Sequence, residues 1–188
     1  VLAWDARMEP DSVGATILRT WRGCYGRRHP EVQGDAQMQH LPASDEELRD
    51  AALALADAVR MLQEHHGTAL VPWGQIHRLQ LADVDLAVSG DEEVIFMDCL
   101  RATGPGILMD EDGMVPASRG QVTTTLVSFT DPLVVWSVTP YGQSLDPASP
   151  HYTDQMAVYA SDRLRPAWHT WEQLQGHIES STALDREA

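Results

Sequence analysis

The chain reads as an α+β protein of antiparallel strands with flanking helices, and three observations carry that reading. A capping signature, Ser44-Asp45-Glu46-Glu47, opens a long run of helical period. Two β-branched runs, VTTTLVSF (122–129) and LVVWSVTP (133–140), flank the short turn Thr130-Asp131-Pro132. The elements follow as helix, helix, strands, strands, helix, an order that favours segregated layers over a βαβ repeat. Residues 1–188 are expected to form one unit: 1–81 mainly helical, 82–140 β-rich, and 141–188 a loop with a helical tail.

Each element has a local cause. Glu9-Pro10-Asp11-Ser12 is a helix start with Asp11 or Ser12 as N-cap. Val13, Ile17, Leu18 and Trp21 follow at helical spacing, and Gly23 is a natural stop. Residues 24–43 lack sustained periodicity and read as a loop. Behind Ser44, the residues Leu48, Ala52, Leu55, Val59 and Leu62 mark one helix face that ends near Gly67. VPWGQIHRLQL (71–81) reads as a loop passing into an extended piece. VDLAVSG and EEVIFMD read as strands, followed by the turn-rich TGPGILMDEDGMVPASRG. The two β-branched runs form a hairpin, and the nearly all-apolar LVVW predicts a strand buried on both faces. Thr170 and Gln173 make a second capping box, with Trp171, Leu174 and Ile178 at helical spacing before a frayed end.

Composition narrows the function classes. The 188 residues are 43% apolar and 22% charged, the balance of a globular protein. Thirteen basic against 28 acidic residues leave a net charge of −15 with no basic stripe, so nucleic acid is not an expected partner. No apolar run approaches the roughly 18 residues of a helical membrane span, and no membrane partner is expected. The start VLAWDAR has neither an initiator Met nor a leader pattern and is expected to mark a processed or cut product. Cys24 and Cys99 permit one disulfide at most.

The segment YGQSLDPASPHYTDQ (141–155) holds the raw material of a hydrolase: Ser144 or Ser149 as nucleophile, His151 as base, Asp146 or Asp154 to orient it. Triads are assembled from distant chain positions, however, and GQSLD lacks the second Gly of a nucleophile elbow. The expectation is a turn-rich loop whose Ser and Asp side chains bond backbone amides. DEDG (110–113) crowds three carboxylates, but the twelfth position counted from Asp110 is Gln121, which cannot close a calcium loop, so a solvated turn is expected. His65 and His66 sit at a helix C-terminus, where solvent-facing rings gain from the dipole, and with His77 they form no regular zinc motif. Trp4, Trp21, Trp73, Trp136, Trp168 and Trp171 are scattered as core or interface anchors. Neither Cys lies in a C-x-x-C or cationic pattern. No catalytic, cofactor or metal residue is assigned within the chain.

Three segments together resemble the C-terminal part of the nucleophile-bearing β subunit in the penicillin acylase family of N-terminal nucleophile hydrolases. They are LAWDARMEPDSVGATI, VPWGQIHRL, and PYGQSLDPASPHYTDQ with its following LRPAWHTWEQL. The last matches the family's loop pattern at Gly142, Ser144, Pro147, Ser149, Pro150, His151, Tyr152, Asp154 and Gln155. Its wording is nearest the branch acting on acyl homoserine lactones and on lipopeptides such as aculeacin. Ala6 stands where the family usually has Gly.

The resemblance implies the C-terminal portion of an αββα fold and a parent amidase made as one precursor, exported to the periplasm or outside the cell, and cut by its own chemistry. In that family an N-terminal Ser attacks the amide, and its own α-amine serves as base, being half-deprotonated near neutrality, at roughly pH 7.7–8.0. Val1 carries no hydroxyl or thiol, so none of the family's catalytic positions maps onto a residue of this sequence. The chain alone is then expected to be inactive, to need the remainder of the acylase as partner, and to self-associate without it. The parent would act on a small N-acylated amide. Two other readings are a free-standing non-catalytic interaction module and a local Ser-His-Asp hydrolase.

Overall fold

The computed structural model describes residues 4–31, 41–91, 101–102, 109–117, 119–120 and 122–182. Helix α1 (Val13–Arg28) starts from Ser12, whose hydroxyl accepts the Ala15 amide. It does not stop at Gly23 but runs on to Arg28, so the first five residues of the expected loop at 24–43 are helical. An interior glycine costs about 1 kcal/mol against alanine. Burying Cys24 and Tyr25 outweighs this, since a fully buried large side chain returns about 1.5–3 kcal/mol.

Helix α2 (Asp45–His66) carries the expected capping box, with both arms between Ser44 and Glu47, and ends on Gly67 in the left-handed region at φ +72°. Its inward face is the expected one at Leu62 and differs from it toward the N-terminus. Ala54, Ala58 and Leu62 are buried, with Ala51 and Met61 packed beside them, whereas Leu48 is 55% exposed and Leu55 also faces outward. The helix carries two apolar stripes, and the alanine stripe faces α1 because small side chains let the two backbones approach. Arg28 meets Asp57 across this contact at 2.6 Å, and its hydrogen bond holds the Asp57 carboxyl below the usual carboxylate range. Trp21 donates from Nε1 to the Ala51 carbonyl at 2.9 Å.

Between 71 and 81, where a loop was expected first, the chain makes a single turn, α3 (Trp73–Ile76), then β1 (His77–Leu81). β2 (Val84–Ala87) pairs antiparallel with β1, and β4 (Val115–Pro116) pairs parallel on its other side. β3 (Arg101–Ala102) pairs antiparallel with β5 (Arg119–Gly120). The expected strand EEVIFMD and Cys99 lie outside the described residues. Trp73 is fully buried among Leu62, Val71 and Ile76, and its Nε1–H donates to the Gly90 carbonyl at 2.9 Å. Arg19 and Asp91 form a buried ion pair at 3.2 Å, which ties α1 to the segment that follows β2.

The hairpin is as expected: β6 (Thr124–Ser128) and β7 (Val134–Val138) pair antiparallel with Leu126 opposite Trp136, and β8 (Arg165–Pro166) adds to the other side of β7. β7 is not buried on both faces, however. Only Val138 is fully covered, by Leu79, Val88, Met156 and Tyr159; the remainder of the strand is half-buried. The apolar run is real, but among the described residues only one end of the hairpin meets a second layer. Helix α4 (Met156–Ala160) supplies that layer. The tail then turns through α5 (Trp171–Leu174), whose Thr170–Gln173 capping box is present, into a 3-10 turn at Gln175–His177.

Helices and antiparallel strands in separate layers make the fold α+β. Ala6 sits at φ +63°, a conformation that costs an L-residue about 1–2 kcal/mol and that glycine adopts freely. Among the described residues no helix is long and apolar enough to cross a membrane.

Candidate functional site

The loop 141–155 is built from two successive β-turns. The Ser149 amide donates to the Asp146 carbonyl and the Tyr152 amide to the Ser149 carbonyl. Pro147 and Pro150 therefore each occupy the second position of a turn, where a φ fixed near −65° is already correct. The loop closes on itself through the His151 carbonyl, which accepts the Gln143 and Ser144 amides at 3.0 and 3.1 Å. Gly142 lies so close to the His151 and Tyr152 backbone that any Cβ there would collide with it. That contact is why the position needs glycine.

The side chains follow the same logic. Ser144 Oγ accepts the Asp146 amide at 3.1 Å, Asp146 Oδ1 accepts the Ala148 amide at 2.9 Å, and Ser149 Oγ accepts the His151 amide at 3.2 Å. Gln155 is buried; its Oε1 accepts the Thr139 amide at 3.0 Å while its backbone N–H donates to the Tyr141 carbonyl, which pins the loop's exit to its entrance. Asp154 departs from the expected amide bonding. Its carboxylate holds the His151 ring at 2.9 Å and lies 3.6 Å from Arg165 of β8. Its partners are side chains half open to solvent, so an Asp154→Ala loss falls in the range of exposed pairs rather than of buried networks.

His151 decides the question of chemistry. Its Nδ1 faces Asp154 Oδ2 at 2.9 Å and its Nε2 faces Glu179 Oε2 at 3.2 Å. Both nitrogens donate when the ring is protonated, and Asp154 first, then Glu179, push the imidazole pKa above its usual value. A general base needs a free lone pair aimed at the nucleophile. Here that nitrogen is engaged with a carboxylate, and among the described residues no hydrogen bond joins the ring to either serine. The Ser, His and Asp that lie together in sequence also lie together in space, but in an arrangement that stabilises a cation.

Ser144, Ser149 and His151 line a cleft of about 950 Å³. Ser137, Gln155 and Arg165 form part of its wall, together with Trp168, His177 and Glu179 of the tail. Trp168 and His177 stack with ring centroids 3.4 Å apart. Glu179 was read from sequence only as part of a frayed end; it lies 28 positions from His151, and no local pattern marks the pairing.

The remaining candidates are spent on structure. Asp110 Oδ1 accepts the Asp112 and Met114 amides at 3.0 and 2.8 Å, so this carboxylate closes its own turn. His66 is not simply solvent-facing: its Nε2–H donates to the Gly113 carbonyl at 2.9 Å, and His77, buried and stacked on Trp73, donates to the Val115 carbonyl at 2.8 Å. The two rings hold the 113–116 segment against α2 and β1. Among the described residues no group of three His, Cys, Asp or Glu side chains is placed to hold a metal. Cys24 is a buried free thiol 3.6 Å from the Met61 sulfur.

Comparison with known proteins gives two findings. A family model described as penicillin amidase matches residues 1–176. Among solved structures, a thermostable penicillin G acylase from Alcaligenes faecalis matches with 18% identity and a TM-score of 0.46, covering 100% of this chain and 41% of that one. The chain thus spans about 41% of the length of that acylase chain.

Proposed function

The chain belongs to the penicillin amidase family, and on that premise we propose that it is the C-terminal portion of the nucleophile-bearing subunit of an N-acyl amide hydrolase, supplying scaffold rather than chemistry. The observation that carries this reading is the family match, which runs from residue 1 to residue 176. The parent hydrolyses its substrate through an acyl-enzyme formed on an N-terminal Ser outside these 188 residues. That Ser's α-amine acts as base, and oriented donors stabilise the tetrahedral oxyanion. The substrate class is a small N-acylated amide of the acyl-homoserine-lactone or lipopeptide type, and the parent works in the periplasm or outside the cell.

Two features of the molecule support a scaffold role. His151, the one histidine beside serines in the matched loop, is committed to two carboxylates. Large apolar side chains of the hairpin and tail stand in solvent, as surface awaiting a neighbour does: Phe129 is 90% exposed and Trp171 64%. The remainder of the same acylase is that neighbour. This portion contributes β6 and β7 to the sheet of the whole protein, and loop 141–155 locks the tail onto them.

The test is reconstitution. The chain alone should not turn over a chromogenic N-acyl amide, and should do so when joined with the remaining portion of its acylase. Ser144→Ala and Ser149→Ala should leave the reconstituted rate within about twofold, a change under roughly 0.5 kcal/mol in barrier. Turnover by the chain alone that disappears in either variant would replace this reading with a local Ser-His-Asp hydrolase.

A further inference from the structure

We propose that residues 168–182 form a pH-sensitive strap over the 950 Å³ cleft, latched by the Asp154–His151–Glu179 relay and released when His151 loses its proton. The inference concerns the tail of the chain by itself, before the remainder of the acylase covers the same surface, and its test reads the isolated chain.

The strap's attachment argues for it. From Trp168 to Thr182 every residue is exposed; Trp171 stands largely in solvent, Ile178 is half-covered, and Leu174 is partly covered against the cleft without being sealed in a core. Most of its contacts are internal: the Thr170–Gln173 capping box, the Leu174 amide on the Thr170 carbonyl, and the Trp168–His177 ring stack. Its backbone leaves the body just after Ala167, whose amide donates to the Val135 carbonyl of β7. Beyond that point, the polar contact that ties the strap to the body, among the described residues, is Glu179 on His151. With no buried apolar anchor, one ion pair of ordinary strength is enough to move such a segment.

The relay can respond to a single proton. A protonated imidazole donates from both nitrogens and satisfies both carboxylates, whereas a neutral one has one N–H. Asp154 is the nearer acceptor, at 2.9 Å against 3.2 Å, and Arg165 of β8 lies 3.6 Å from the same oxygen. Asp154 therefore keeps the remaining N–H, and Glu179 is left facing a lone pair. The other ionisable group that lines this cleft is His177, on the strap itself. Because closing the strap adds Glu179 to Asp154, closure and protonation of His151 favour each other. The latch is complete below the ordinary imidazole value of about 6.5. It fades as pH rises through the raised value in the folded chain.

Thermolysin cleavage before Leu174 and Ile178, followed by mass spectrometry, tests this with native chain and Glu179→Gln compared at the same pH, so that protease activity cancels. At pH 5.5 the variant should be cut several-fold faster at both bonds, and at pH 8.5 the two should be cut at equal rates. His151→Gln should behave as Glu179→Gln does, and unchanged circular dichroism of the variants reports that α1 and α2 stay folded. Equal cutting of native chain and Glu179→Gln at pH 5.5 would overturn the proposal, as would a difference that persists at pH 8.5.

Discussion

The helical half of the molecule and the hairpin–loop–tail half obey the same patterning rules with opposite outcomes. From Met8 to Val88 the inner face of each element finds partners: Trp73, Leu62, Ile76, Val71 and Val88 are fully buried, while the outer stripe of α2 at Leu48, Leu53 and Leu55 stays in solvent. From Val122 onward the pattern is equally regular, yet Leu126, Phe129 and Trp171 stand outside, and burial gathers around Val138, Met156 and Tyr159, where the sheet meets β1, β2 and α4. The difference teaches that periodicity specifies which side of an element is apolar and leaves open what covers it. In the first half the cover for the inner face lies within the chain. In the second it is expected from the remainder of the acylase.

This contrast breaks first at Trp73. Trp73→Ala removes a ring packed on Leu62, Val71 and Ile76 and the donor to Gly90, and should cost about 3–5 kcal/mol. That is a large share of the roughly 5–15 kcal/mol total of a typical domain. Denaturant unfolding followed by circular dichroism would measure it, and a loss under 1 kcal/mol would mean that the helical half does not hold itself together.

A smaller effect sharpens the second half. Gly142→Ala forces a Cβ into the His151–Tyr152 backbone and should cost about 1–3 kcal/mol through displacement of the loop. The Gln143 and Ser144 amides should lose protection, because both donate to the His151 carbonyl. Heteronuclear NMR of the variant reads both changes; an undisturbed loop would remove the argument that this glycine is required by close approach.

What the sequence made legible was local. The Ser12 cap, the Ser44–Glu47 and Thr170–Gln173 boxes and the 122–140 hairpin each depend on residues within a few positions of one another, and each is present. The misreadings were tertiary. Gly23 looks like a stop until Tyr25 and Cys24 find the alanine face of α2. The Leu48–Leu55 stripe of α2 has the right period, but the stripe of small residues won the inner side because it allows closer approach. In the candidate site, the turns and prolines follow from composition, whereas the role of His151 depends on Glu179, 28 positions away, which no spacing rule reaches.

Native-state hydrogen exchange of the chain alone tests most directly the claim that one half is self-sufficient and the other awaits cover. Amides of α1, α2 and β1 should exchange only with a free energy near that of global unfolding, while those of β6, β7 and α5 exchange through openings that cost markedly less. Equal protection across both halves would contradict the account, since the hairpin and tail would then be complete without a neighbour.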